Sequence, residues 1–199
     1  MITFEYKKEG ENFLVSIKTD RIESGTFYRM AAVIYYLGWD IISADIDTII
    51  EEGISYSYDV FQLRSKETDA MKKAIEIGML LETIFSRDTD IKELTANLPR
   101  FTPPVTKNFF REKAELLFED DDENNWTVFY MEADSGRGLV YHVSKIFAEY
   151  RINVLKAIIE TNAFTGRAED TFYLQDENGK QFGKEPLAKI LRKNILDNL

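Results

Sequence analysis

The sequence predicts an α+β protein of two ferredoxin-like βαββαβ units, each an antiparallel sheet with helices on one face. Three observations lead there. The 199-residue chain repeats itself at a spacing of 113–114 positions over much of its length. Strand-like alternation and helix-like periodicity follow one another in the same order in both copies. Three of the four prolines gather between the copies, at Pro99, Pro103 and Pro104.

The repeat can be followed residue by residue, and repeats of this kind decide a fold before any local reading does. Phe4-Glu5 opens the first copy and Phe118-Glu119 the second. Phe13-Leu14-Val15-Ser16-Ile17 faces Thr127-Val128-Phe129-Tyr130-Met131, and after one lost residue Gly25 faces Gly138. Leu37-Gly38-Trp39-Asp40-Ile41 matches Tyr150-Arg151-Ile152-Asn153-Val154. Tyr58-Asp59-Val60-Phe61 matches Glu169-Asp170-Thr171-Phe172. Proline ends helices and biases its predecessor toward extended backbone, so the units read as 1–98 and 105–199 with a 99–104 linker. The stretch after Pro104 is a candidate to complete the first sheet.

The elements follow in order. Short strands over 2–6 and 114–119 each turn into a longer strand, 12–18 or 126–132. Apolar residues at helical spacing then mark 26–37 and 139–150. Over 41–49, Ile42, Ala44 and Ile46 alternate with Ser43, Asp45 and Asp47, which is a strand with one buried face. Asp59, Phe61 and Leu63 alternate in the next strand, as do Asp170, Phe172 and Leu174. Thr68 suits the N-cap of a helix to about residue 85, and 90–97 reads as one more short helix. Pro186 suits the first position of a closing helix to about 196.

Composition narrows the function. The formal net charge of −10 suits a polyanion poorly, because nucleic-acid affinity rests on phosphate neutralisation. There is no cysteine, which removes disulfides, thiolate metal sites and thiol nucleophiles. With His142 alone, no site can draw two histidines from one chain. No signal-peptide core or membrane-length apolar run is present, so a cytoplasmic protein with no membrane partner is expected.

On these residues the sequence resembles a tandem pair of ACT domains, small regulatory modules that bind amino acids in metabolic enzymes. The nearest likeness is to the C-terminal ACT pair of bacterial uridylyltransferase/uridylyl-removing enzymes. In the second copy, Ala133-Asp134 leads into Ser135-Gly136-Arg137-Gly138-Leu139, where that family has Asp-Arg-Pro-Gly-Leu. Ile152-Asn153-Val154 stands where ACT domains carry an Asn-Ile pair. Asp170 through Asp176, followed by Gly179-Lys180, resembles the closing strand and turn. The first copy departs: its loop from Asp20 to Thr26 is one residue longer and lacks the proline, and Asp40 replaces the Asn. No part of the chain matches the family's catalytic domains, so the resemblance implies regulation and not transferase activity.

The resemblance implies a ligand site at Asp134, Ser135, Gly136, Arg137, Gly138, Leu139, Asn153 and Val154, with Ser24, Gly25, Thr26 and Asp40 as first-copy counterparts. The loops run from a strand into a helix N-terminus, where free N–H groups and the dipole favour a carboxylate. Glycine permits close backbone approach, and Asn153 offers both donors and an acceptor to an amino acid. In ACT proteins that Asn often acts across a subunit interface, which implies a homodimer. The likeness to a nitrogen-sensing family makes glutamine the first ligand to test.

Other motifs read as structure. Asp45 and Asp47 have the spacing of a Mg²⁺-binding pair but lack a preceding Gly-Ser turn, so a solvated sheet face is expected and no metal. Residues 119–123 lack the spaced ligands of a calcium loop and read as a hairpin turn. His142 reads as a surface or interface residue, and Phe27-Tyr28, Tyr35-Tyr36 and Phe109-Phe110 as core or interface. The paired Arg and Asn of acylphosphatases and the basic Gly-aromatic strand of RNA-recognition domains are both missing. The reading is therefore a stand-alone, non-catalytic sensor of a small molecule, an amino acid first, with no cofactor. The rival is an interaction or oligomerisation module, without a metabolite, that engages a protein partner.

Overall fold

Alternating strands outnumber helical segments, and the chain pairs them all. The computed structural model describes residues 1–65, 70–87, 91, 93, 108–110 and 113–199. The first half contains β1 (Ile2–Glu9), β2 (Asn12–Thr19), α1 (Thr26–Tyr36), β3 (Asp40–Glu51), β4 (Ile54–Arg64) and α2 (Ala70–Arg87). The second repeats the order with β5 (Glu115–Asp121), β6 (Trp126–Asp134), α3 (Leu139–Glu149), β7 (Asn153–Thr161), β8 (Arg167–Gln175) and α4 (Pro186–Asn198). Thr68, the 99–104 linker and nearly all of the short helix expected over 90–97 lie outside the described residues.

Each half is a ferredoxin-like antiparallel sheet, with one amendment to the strand order. The edge place beside the first long strand is taken by a leading strand, β1 or β5, in a hairpin with β2 or β6. The order along the chain is thus ββαββα. Residues 115–121 pair with β6 in the second sheet, as expected of its leading strand, and most of the stretch between Pro104 and that strand lies outside the described residues.

The two sheets are continuous. Their order is β1-β2-β4-β3-β7-β8-β6-β5, and the halves join where β3 meets β7 antiparallel, from Ser43 opposite Glu160 to Ile46 opposite Ala157. Alternation then sorts the side chains. Val15, Ile17, Phe61 and Leu63, with Phe129, Met131, Phe172 and Leu174, are fully buried on the helix-covered face. Asp45 and Asp47 are exposed on the other face. No group of three His, Cys, Asp or Glu residues suited to a metal occurs among the described residues.

The helices close the join from above. Tyr28, Tyr35 and Tyr36 of α1 meet Tyr141 of α3, with Tyr35 and Tyr141 stacked at 4.5 Å and 7°. The Tyr36 and Tyr141 hydroxyls lie 3.3 Å apart. Stacked aromatic pairs contribute about 0.5–1.5 kcal/mol beyond their buried area, so these rings help to bind the halves together. Of the acidic stretch at 119–123, residues 119–121 end β5 and the expected hairpin turn falls at 122–125, with the Asp120 and Asp121 carboxylates occupied. Asp120 accepts from the Gly183 and Lys184 N–H groups, and Asp121 from those of Glu123 and Asn124. No described helix is long and apolar enough to cross a membrane.

Candidate functional site

The loops that enter α1 and α3 are built alike. Gly25 and Gly138 are the N-cap residues, left-handed at φ 91° and 100°, a conformation that suits glycine. Neither helix has a side-chain cap or an acidic residue in its first turn. The Thr26 and Leu139 N–H groups turn back to the Glu23 and Gly136 carbonyls at 3.1 and 3.2 Å, and the positive end of each helix dipole still favours an anion.

The fold crosses the two copies. The loop before α1 faces the start of β7, where the Ser24 hydroxyl donates to the Ile152 carbonyl at 3.1 Å. The loop before α3 faces the start of β3, where Arg137 donates to the Gly38 carbonyl at 3.2 Å. Asn153 is thus brought to Ser24 of the first copy and not to Ser135–Gly138 of its own. It faces the loop of the other half within one chain.

The two loops differ in the room beside them. Next to the first is an open cleft of about 650 Å³, lined by Glu23, Ser24, Arg29, Arg151, Asn153 and the 175–179 turn. Next to the second, the recess among Tyr35, Trp39, Gly136, Gly138 and Tyr141 has about 10 Å³, no more than one water needs. Tyr35 fills it, and a Cβ on Gly138 would lie 2.6 Å from its ring. Burial raises the Tyr35 hydroxyl above its ordinary pKa, so it stays a neutral filler.

The open cleft carries both signs of charge. Arg151 pairs with Glu177 at 2.9 Å, and Glu23 lies 3.9 Å from Arg29 and 3.6 Å from Arg21. The exposed Arg151–Glu177 pair contributes about 0–1 kcal/mol, so Arg151 can turn to a ligand carboxylate at small cost, whereas Arg29 is half-buried and lies over the Phe85 ring. Asp176 is occupied at one oxygen by the Asn178 and Lys180 N–H groups, which fixes the turn.

The remaining expected site residues have structural partners. Asp134 is held by Arg167 at 3.1 Å, and Asp40 by Arg64 at 3.5 Å. The Ser135 hydroxyl meets that of Thr161 at 3.2 Å. Leu139 and Thr26 are buried, and Val154 is half-buried at the start of β7. His142 lies in the interface between the halves, with its ring 4.8 Å from Tyr141 and 5.7 Å from Tyr35. Burial first, and then Lys145, lowers its pKa, so it is uncharged near neutrality. Arg29 and Arg151 were not singled out as site residues from sequence, and the 175–179 turn was noted only as part of the closing strand and turn. Arg29 stands one turn beyond the Gly25 N-cap, which is the signal that points to it.

No known family profile matches the chain. It is 24% identical over 192 residues to the bifunctional uridylyltransferase/uridylyl-removing enzyme of Erythrobacter litoralis, a match covering 96% of this chain and 20% of that enzyme. The enzyme of the same description from Novosphingobium aromaticivorans is 25% identical over 200 residues, with the same coverage. That of Legionella pneumophila is 28% identical over 88 residues. The chain thus spans about a fifth of the length of the curated relatives that it matches over nearly its whole length. Among solved structures, aspartate kinase from Synechocystis aligns with 96% of this chain at a TM-score of 0.50 and 12% identity, a likeness of fold. The chain is therefore similar, almost end to end, to a region of the uridylyltransferase/uridylyl-removing enzymes, and it has the architecture of a tandem ACT pair.

Proposed function

We propose that this chain is a non-catalytic regulatory unit that binds one α-amino acid in the cleft between the loop before α1 and the start of β7. The observation that carries the reading is the pairing of that open cleft with groups suited to a zwitterion. Arg29, Arg151 and the α1 N-terminus suit the carboxylate. Glu23 and the Asn153 side-chain oxygen suit the ammonium. Because the cleft draws on both halves, a bound ligand would bias how they sit together, and a protein partner could read that change. Glutamine is the first ligand to try, on the strength of the relatives.

A thermal-shift panel of the twenty amino acids tests this. A ligand at 100 times its dissociation constant adds about 2.7 kcal/mol, or roughly 5–11 °C for a chain of this size. The expected result is a selective shift by one or two amino acids that Asn153→Ala removes while the ligand-free melting curve stays close to wild type. A flat panel would overturn the reading. It would favour an interaction module without a metabolite, to which the closed recess at the second loop lends support.

A further inference from the structure

We propose that the recess at the second loop is a latent amino-acid site, and that Tyr35 is the residue that keeps it shut. The inference rests on the amino-acid reading of the first cleft and extends it to the other loop. Gly138 stands 113 positions after Gly25, and Ala148 stands 113 after Tyr35. The structure pairs these residues crosswise. A Cβ on Gly25 would meet Ala148 at an ordinary 3.9 Å, whereas one on Gly138 would meet the Tyr35 ring at 2.6 Å. The same position at the end of α1 or α3 therefore faces the opposite loop glycine in both halves. Where it is alanine the neighbouring cleft is open, and where it is tyrosine the recess is full.

A second, independent observation points to a ligand there. Trp39 lines the recess and is only 1% exposed, yet its indole N–H has no acceptor among the described residues. A buried donor without an acceptor is costly, and a ligand carboxylate in the recess would supply one. Arg137 and the uncapped α3 N-terminus lie beside it and favour the same charge. Tyr35 meanwhile stacks on Tyr141, so the plug also contributes to the contact between the halves.

The experiment uses Trp39 as its own reporter. The chain has two tryptophans, so Trp126→Phe leaves the emission of Trp39 alone. Phenol, which matches the removed ring, is titrated into this background with and without Tyr35→Ala. The expected result is a saturable change in emission only when Tyr35 is absent. Calorimetry with the twenty amino acids is expected to find one bound molecule per chain in the wild type and two in Tyr35→Ala. The reciprocal Ala148→Tyr leaves the tyrosine stack in place and is expected to abolish wild-type binding, which keeps the idea testable should Tyr35→Ala fail to fold. Unchanged stoichiometry in folded Tyr35→Ala, or wild-type binding by Ala148→Tyr, would overturn the proposal. If phenol enters and no amino acid follows, the recess is only a packing seam and the proposal falls. If no amino acid binds the wild type, the reading of the first cleft fails separately.

Discussion

Asp59 and Asp170 occupy matching places in β4 and β8, beside Phe61 and Phe172 on the helix-covered face, and both are fully buried. Burial raises Asp59 to about 7 and Asp170 to about 8. For Asp59 the Ser57 hydroxyl opposes the rise, donating at 2.9 Å, and the charge of Asp47 adds to it. For Asp170 the opposing group is the Glu160 N–H at 3.4 Å. A carboxyl with a raised folded pKa keeps its proton when the unfolded chain has lost it. Stability is therefore full below about pH 4 for these groups and falls as pH rises toward 7–8. The slope is about 1.4 kcal/mol per pH unit for each group. Melting temperature is expected to drop between pH 5 and pH 8.5, and the double variant Asp59→Asn, Asp170→Asn to lose most of that drop. Equal slopes in wild type and variant would contradict this. The alternation with Phe61 and Phe172 put both aspartates on the buried face at the level of sequence. The cost of burying them depends on what packs above, which no local pattern states. Tyr35 was legible as an interface residue for the same reason, but its contact with Gly138 was not.

At the scale of elements, local periodicity sufficed. The strands and helices come from alternation and 3.6-residue spacing, which neighbouring residues determine. The pairing of β3 with β7 is not local. Each strand reads as the edge of its own sheet, and its pattern does not say which edge it will meet. The crossing of loops and strand starts follows from that pairing, so the placing of Asn153 beside Ser24 was not legible in the sequence. Packing within the first half gives a sharp test. Phe4 of β1 lies on Gly78 of α2, where a Cβ would come 2.6 Å from the ring. Glycine to alanine in a helix ordinarily gains about 1 kcal/mol, whereas overpacking costs about 1–3 kcal/mol. Gly78→Ala is therefore expected to lower stability in urea unfolding, and to raise it once Phe4→Ala has made room. Gly78→Ala behaving the same in both backgrounds would contradict the contact.

At the scale of the whole molecule, the single sheet and the tyrosine stack turn two similar halves into one frame with unlike clefts. The repeat and the acidic composition were visible in the sequence, as was the resemblance to a tandem ACT pair. What the sequence did not disclose is that β3 and β7 join the halves into one sheet, which brings each loop to the strand start of the other half. The central claim is that one ligand touches both halves at once, at the loop before α1 and at the start of β7. Backbone amide resonances, followed while each of the twenty amino acids is added in turn, test it most directly. The account expects the amides of Ser24, Gly25 and Thr26 in the first half to shift together with those of Arg151 and Asn153 in the second, with one affinity. Shifts confined to one half, or no shifts with any amino acid, would contradict it.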